Sequence, residues 1–164
     1  PASLGVKLAH PEAPVVTIVG DGSFAMTGHM IRTASQNKMA TVNFVFNDGY
    51  LAQIEKFSKR LYGHGQGTFI GRSPLEALAT MYQAEYLLIK SNEDIEPIVK
   101  RALALAKSGE KPIMVDVNID YSKSTSFTKG SGRNAIISYP KEQRDRILKR
   151  AEERKKNLKP KECP

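Results

Sequence analysis

Four short runs of the chain are almost continuously apolar: Val15–Val19, Thr41–Phe46, Tyr86–Lys90 and Pro112–Val117. Short runs without polar alternation are what strands covered on both faces look like, so they predict parallel β-strands. Between them the apolar positions open to helical spacing. That spacing predicts helices over roughly Thr27–Asn37, a shorter one near Leu51–Ser58, then Pro74–Gln83 and Glu93–Lys107. Ser73-Pro74-Leu75-Glu76 reads as a capping box with proline at the first helical position, where its missing N–H costs nothing. Ser91 or Asn92 can cap the last helix, and Gly109 stands where a helix stop is expected. Strand alternating with helix, with no internal repeat, predicts an α/β fold: a three-layer, doubly wound parallel sheet with helices on both faces and right-handed crossovers.

Composition narrows this picture in three ways. A chain of 164 residues, 40% apolar and 26% charged, fits one globular domain with room for a substantial core. Its single cysteine, Cys163, leaves no intrachain disulfide and no cysteine-based zinc site, which suits a reducing compartment, taken as the cytoplasm. No apolar run reaches the length a bilayer needs. The chain begins at Pro1 within structured-looking sequence, with neither an initiator methionine nor a signal peptide, so its start reads as a cut.

The net charge of +8 raises nucleic acid as a partner, but its distribution argues otherwise. Residues 141–164 hold ten Lys/Arg against five Asp/Glu and so carry +5 of the total. No aromatic residue follows Tyr139, so a base-stacking platform is unsupported, and a solvated charged helix with a frayed tail, Arg144 through Lys161, is expected. The expected layout is an α/β domain over 1–120, truncated at its N-terminus, a loop extension over 121–140 and a basic helix and tail over 141–164.

In doubly wound sheets ligands bind at the carboxyl ends of the strands. The first strand runs directly into Gly20-Asp21-Gly22-Ser23. Two glycines around an aspartate allow a sharp turn and close backbone approach to a ligand, while the following helix offers N–H groups to a phosphate. A carboxylate beside a phosphate calls for a cation between them, and magnesium, with its preference for oxygen and phosphate, fits. Taken alone, a tight strand-to-helix turn explains Gly-Asp-Gly equally well. The second strand ends similarly, in Asn47-Asp48-Gly49-Tyr50, so two strand ends bring oxygen-bearing side chains to one rim.

With Leu4-Gly5, Pro11, Val16 and Ile18 upstream, these segments resemble the cofactor-binding domain of the thiamine-diphosphate enzymes, in particular acetohydroxyacid (acetolactate) synthases. That family carries Gly-Asp-Gly, about two dozen residues, then an Asn-Asn pair. Pro1-Ala2 resembles the end of the family's Leu-Pro-Ala segment, and Asp116-Val117 suits the close of its last strand. The resemblance covers about residues 1–120 and implies the thiamine-diphosphate-binding fold. It implies that Gly20, Asp21, Gly22, Ser23, Asp48 and Tyr50 form the cofactor-binding set. Asp21 and Asp48 would ligate magnesium through side-chain oxygens and Tyr50 through its backbone carbonyl, while Gly22 and Ser23 would donate hydrogen bonds to the diphosphate. In the family a 2-keto acid loses carbon dioxide, and the remaining fragment is joined to a second carbonyl or protonated.

Two positions depart from the family pattern. Asp48 replaces the second asparagine, keeping an oxygen ligand but adding a negative charge beside an anionic diphosphate, and Met30 stands where a glutamate is usual. The activating glutamate of the family belongs to a separate pyrimidine-binding domain, for which 164 residues leave no room. The resemblance therefore implies a partner domain on the same or another chain, an oligomer when complete, and a fragment inactive alone. A non-catalytic assembly or regulatory domain that retains the fold is the alternative; retention of Asp21 and of an oxygen ligand at 48 argues against it.

Other polar residues carry weaker signals. His10, His29 and His64 lack metal-ligand spacing. His64 lies in the glycine-rich Tyr62–Gly67 segment, which lacks dinucleotide-binding spacing and reads as a surface loop. Ser124-Thr125-Ser126 resembles no catalytic serine motif. Gln53 and Ile54 would face substrate in the family's geometry or simply pack a short helix.

Overall fold

The computed structural model describes residues 1–119 and 139–157. They form two compact units, one of Pro1–Tyr50 and Gly71–Ile119, the other drawn from Leu51–Ile70 and the part of the chain after Asp120. Ser124-Thr125-Ser126, Cys163 and the end of the charged tail lie outside the described residues, as does nearly all of the expected extension over 121–140.

The first unit is built on four parallel strands, β1 (Val15–Gly20), β2 (Thr41–Phe46), β3 (Glu85–Ile89) and β4 (Ile113–Val117), in the order β1-β2-β4-β3. Around them lie α1 (Ala2–Ala9), α2 (Asp21–Thr27), α3 (Met30–Gln36), α5 (Leu75–Tyr82) and α6 (Ile95–Ser108). The period of two in each strand sends alternate side chains to opposite faces. Val42, Leu87, Ile89, Ile113 and Val115 pack with Ala102 and Ala106 of α6. Val45 and Met114 pack on the other face with Phe24 of α2, Ile31 of α3 and Leu75 and Ala79 of α5. The result is the three-layer α/β arrangement, with helices on both faces of a parallel sheet. Ile113, Met114 and Val115 have no exposed surface. Truncating one of them to alanine is therefore expected to cost about 2–5 kcal/mol.

The strands lie within a residue of their expected limits, but β1 is not covered on both faces. Val16 is 46% and Ile18 68% exposed. Their register partners Val42 and Phe44 belong to the α6 side, where the helical cover stops short of the edge strand.

The first expected helix, Thr27–Asn37, is α3 (Met30–Gln36), and a further helix not expected from the sequence, α2 (Asp21–Thr27), precedes it; the break between the two has a steric cause. A Cβ on Gly28 would sit 2.5 Å from the Phe24 ring, so this glycine lets the buried ring lie across the turn between α2 and α3. Helix α2 also begins at Asp21 itself, directly at the strand end. No glycine-dependent turn intervenes, because Gly20 has an ordinary extended backbone with φ −78°.

The expected capping box at Ser73 is not formed: α5 starts at Leu75, Pro74 takes the cap position and no side-chain cap hydrogen bond is made. Backbone groups of Ser73 bond elsewhere, as described below. The second expected cap is real, since the Asp94 carboxylate accepts the Ser91 N–H at 3.0 Å. It opens a 3-10 turn, Asn92–Asp94, that leads into α6, and Gly109 ends that helix.

In the second unit, α4 (Ala52–Tyr62) packs against α7 (Lys141–Asn157). Helix α4 stops at Gly63, whose φ of +82° is the left-handed conformation that suits glycine. Thr68 then ties the following loop to itself by donating from its hydroxyl to the Gly65 carbonyl. Among the described residues no helix is long and apolar enough to cross a membrane.

Candidate functional site

The first unit brings two strand ends together. Gly20 pairs in register with Phe46, so Asp21 and Asn47 each stand one residue beyond adjacent strands. The Asp21 side chain is 2% exposed and holds a backbone N–H with each oxygen: Oδ1 accepts from Gly22 at 2.7 Å and Oδ2 from Gly49 at 2.6 Å. Hydrogen bonds to a carboxylate are short and strong, so this pair fixes the Asp21 rotamer and locks the β1 end to the β2 end. Each oxygen keeps lone-pair capacity beyond the one N–H it accepts.

Gly49 is the joint of this arrangement. Its φ is +78°, and a Cβ there would stand 3.0 Å from the Arg72 backbone nitrogen and 3.1 Å from the Gly71 carbonyl carbon. Its carbonyl accepts the Gly71 N–H at 3.1 Å, so the residue is held from both sides. Asp48, half-buried, accepts the Tyr50 N–H at 3.2 Å, a turn in which an aspartate bonds the backbone two residues on. Tyr50 is 38% exposed and Ser23 is exposed.

Behind this rim lies a buried polar network that sequence reasoning did not anticipate. The Asn47 side chain, 1% exposed, accepts the Ser73 N–H and donates to the Ser73 carbonyl, both at 2.9 Å, and also donates to Asp116 Oδ1 at 3.2 Å. Asp116 further accepts the Tyr86 hydroxyl at 3.3 Å and faces the Arg72 guanidinium at 3.9 Å. Arg72 donates to Asn118 at 3.0 Å. Burial, the Asp116 charge and its hydrogen bond push the Tyr86 phenol up to about 12. The available sequence signal was a carboxylate inside the apolar run that forms β4, a costly placement unless its oxygens are partnered.

Every acidic and carbonyl donor expected at the site is an oxygen. Among the described residues no three His, Cys, Asp or Glu side chains gather at one point, and the carboxylates expected at this rim are two, Asp21 and Asp48. Hard oxygen donors with few carboxylates suit magnesium, which normally completes its shell with phosphate and water. Gly20 adds a spatial observation: a Cβ there would meet no protein atom within 4 Å, so the rim is open where a diphosphate would approach. In donor chemistry and in space the residues fit the group. His10, His29 and His64 are exposed, as are Gln53 and Ile54 of the second unit. An apolar groove of about 240 Å³, lined by Leu4, Thr17, Val19, Phe24 and Ile31 among others, includes none of the candidate site residues.

Residues 1–117 match the family profile described as thiamine pyrophosphate enzyme, C-terminal TPP binding domain. The chain belongs to this family. It is 30% identical over 148 residues to the acetolactate synthase large subunit of Haemophilus influenzae, covering 87% of this chain and 25% of that protein. It is 30% identical over 125 residues to the acetolactate synthase isozyme 3 large subunit of Escherichia coli, covering 75% of this chain and 22% of that protein. Among solved structures, the thiamine diphosphate-dependent 4-hydroxybenzoylformate decarboxylase of Rhodococcus jostii RHA1 aligns with a TM-score of 0.67 at 28% identity, over 76% of this chain and 23% of that one. The chain thus spans about a quarter of the length of these relatives.

Proposed function

We propose that this chain holds the diphosphate of thiamine diphosphate through Mg2+, as the cofactor-binding part of an acetolactate synthase-like lyase or transferase that decarboxylates and carboligates 2-keto acids. The observation that carries the reading is the 2.6 Å hydrogen bond from Gly49 to Asp21, which fastens the two ligand-bearing strand ends to each other. Asp21 and Asp48 are the side-chain ligands and Tyr50 gives its backbone carbonyl. Gly20 leaves the approach open, and Ser23 supplies a backbone donor at the start of α2, where the helix end favours an anion, while the Gly22 N–H that the resemblance assigns to the diphosphate is held by Asp21 Oδ1.

When bound, the cofactor supplies the nucleophilic thiazolium carbon and the electron sink for decarboxylation. The chain's own work is to bind and orient. The buried Asp21 carboxylate keeps one geometry because two N–H groups hold it, so little reorganisation is needed when a cation arrives. The activating glutamate belongs to a pyrimidine-binding domain, on the same or a partner polypeptide, and the complete enzyme is an oligomer. Without that domain the chain turns nothing over.

The test is calorimetric titration of Mg2+ and thiamine diphosphate into the chain alone and joined to a pyrimidine-binding domain, followed by assays of pyruvate decarboxylation and acetolactate formation. Magnesium-dependent binding and turnover in the joined protein are expected. No magnesium-dependent binding there would favour a non-catalytic domain that keeps only the fold.

A further inference from the structure

The two residues after β2 do different jobs, and the buried one acts through the backbone. Asn47 spends its amide entirely on protein: its carbonyl oxygen takes the Ser73 N–H, one amide proton goes to the Ser73 carbonyl and the other to Asp116. Its backbone N–H also bonds the Val117 carbonyl at 3.1 Å, continuing the β2–β4 pairing past the strand end. At 1% exposure no water can take over these bonds. Ser73 is joined through Arg72 to Gly71, whose N–H holds the Gly49 carbonyl.

We propose that Asn47, anchored by Asp116, is a positioning residue that sets the Asp48–Tyr50 segment against Asp21 by clamping the Gly71–Ser73 backbone. The inference rests on the magnesium reading above and adds a division of labour to it. Asn47 contributes no ligand, and the site depends on its amide all the same. Only an amide meets the requirement. A carboxylate of the same shape lacks the two N–H donors and places a second negative charge against Asp116, whereas an apolar isostere removes the partner of the partly buried Ser73 N–H and leaves the Ser73 carbonyl with the Leu75 N–H alone.

The test uses the full chain joined to the pyrimidine-binding domain, with Mg2+ and thiamine diphosphate as probes, and compares the parent, Asn47→Asp, and Asn47→Asp combined with Asp116→Asn. Each is read by cofactor Kd and, separately, by cofactor-free melting. Asn47→Asp is expected to weaken magnesium-dependent binding by about 10- to 100-fold, the range typical when a residue supporting a ligand is lost. The double variant returns a donor and removes the charge repulsion between 47 and 116 but returns no donor to the Ser73 carbonyl, so it is expected to recover part of that loss. If Asn47→Asp does not fold, Asp116→Asn alone serves as the second variant, and it is expected to weaken binding less. Unchanged Kd with lowered melting in Asn47→Asp, no recovery in the double variant, or an Asp116→Asn protein that loses binding completely would each overturn the positioning role. A parent that fails to bind overturns the magnesium reading and the positioning role together, whereas a binding parent with an equally good Asn47→Asp overturns the positioning role alone.

Discussion

Gly20 ends β1 and Gly49 follows the neighbouring β2 at the same rim, yet they are glycines for opposite reasons. Gly20 has φ −78°, and a Cβ there would touch nothing in the chain. Gly49 has φ +78°, and a Cβ there would press on two backbone atoms at 3.0 and 3.1 Å. The fold requires one of them and has no use for the other. On the magnesium reading proposed above, the glycine that the fold does not need leaves space for the diphosphate at the end of β1.

The widest separation of the two is expected on substitution by alanine. Gly49→Ala combines left-handed strain with backbone collision and is expected to destabilise the protein by about 2–3 kcal/mol, read from urea midpoints. Gly20→Ala should instead stabilise the cofactor-free protein, by about 0.4–1 kcal/mol, because alanine adopts that conformation and restricts the unfolded chain. The same change should weaken magnesium-dependent cofactor binding about tenfold, or 1.4 kcal/mol. Equal cofactor affinity in Gly20→Ala would break the contrast, since the open space would then serve no ligand.

A smaller effect separates the two carboxylates. Asp48→Asn is expected to keep magnesium-dependent cofactor binding, because the amide oxygen can replace the carboxylate oxygen and a negative charge near the diphosphate is removed. Complete loss of binding would show that Asp48 is more than an interchangeable oxygen ligand.

The smallest effect concerns the network behind the rim. The Tyr86 phenol is raised from 10.0 to about 12, so the folded state holds this proton more tightly than the unfolded state. Its stabilising contribution is therefore complete below pH 10 and is lost as pH rises through about 12. Tyr86→Phe should flatten stability against pH across that window, and at neutral pH should cost about 1 kcal/mol for the lost hydrogen bond to Asp116. A pH profile identical to the parent's would show that the phenol is not held this way.

Much of the fold was legible because long-range burial leaves a local trace. The runs at Val42–Val45, broken only by the buried Asn43, and Ile113–Val115 are apolar because helices cover both faces, and that pattern survives in the sequence. Helix limits were less legible where side chains from elsewhere intervened. Ser73 looked like a cap, but its N–H and carbonyl bond the Asn47 amide, 26 residues away in sequence, and its side chain makes no cap hydrogen bond to α5. The break at Gly28 depends on where one buried ring lies. Val16 and Ile18 show the reverse case: they read as doubly covered, yet they are exposed on an edge strand.

By itself the sequence determined the alternation of strand and helix, the family, and the oxygen-bearing residues that end β1 and β2, because hydrophobic period and motif spacing are properties of neighbouring residues. Only the tertiary structure decided that Asp21 is pinned by Gly49, that Gly49 and not Gly20 is demanded by the fold, and that Asn47 belongs to the scaffold while Asp48 remains with the candidate ligands. Those outcomes depend on which backbone N–H groups meet a carboxylate or an amide across strands, and such meetings are set by packing between segments far apart in the chain.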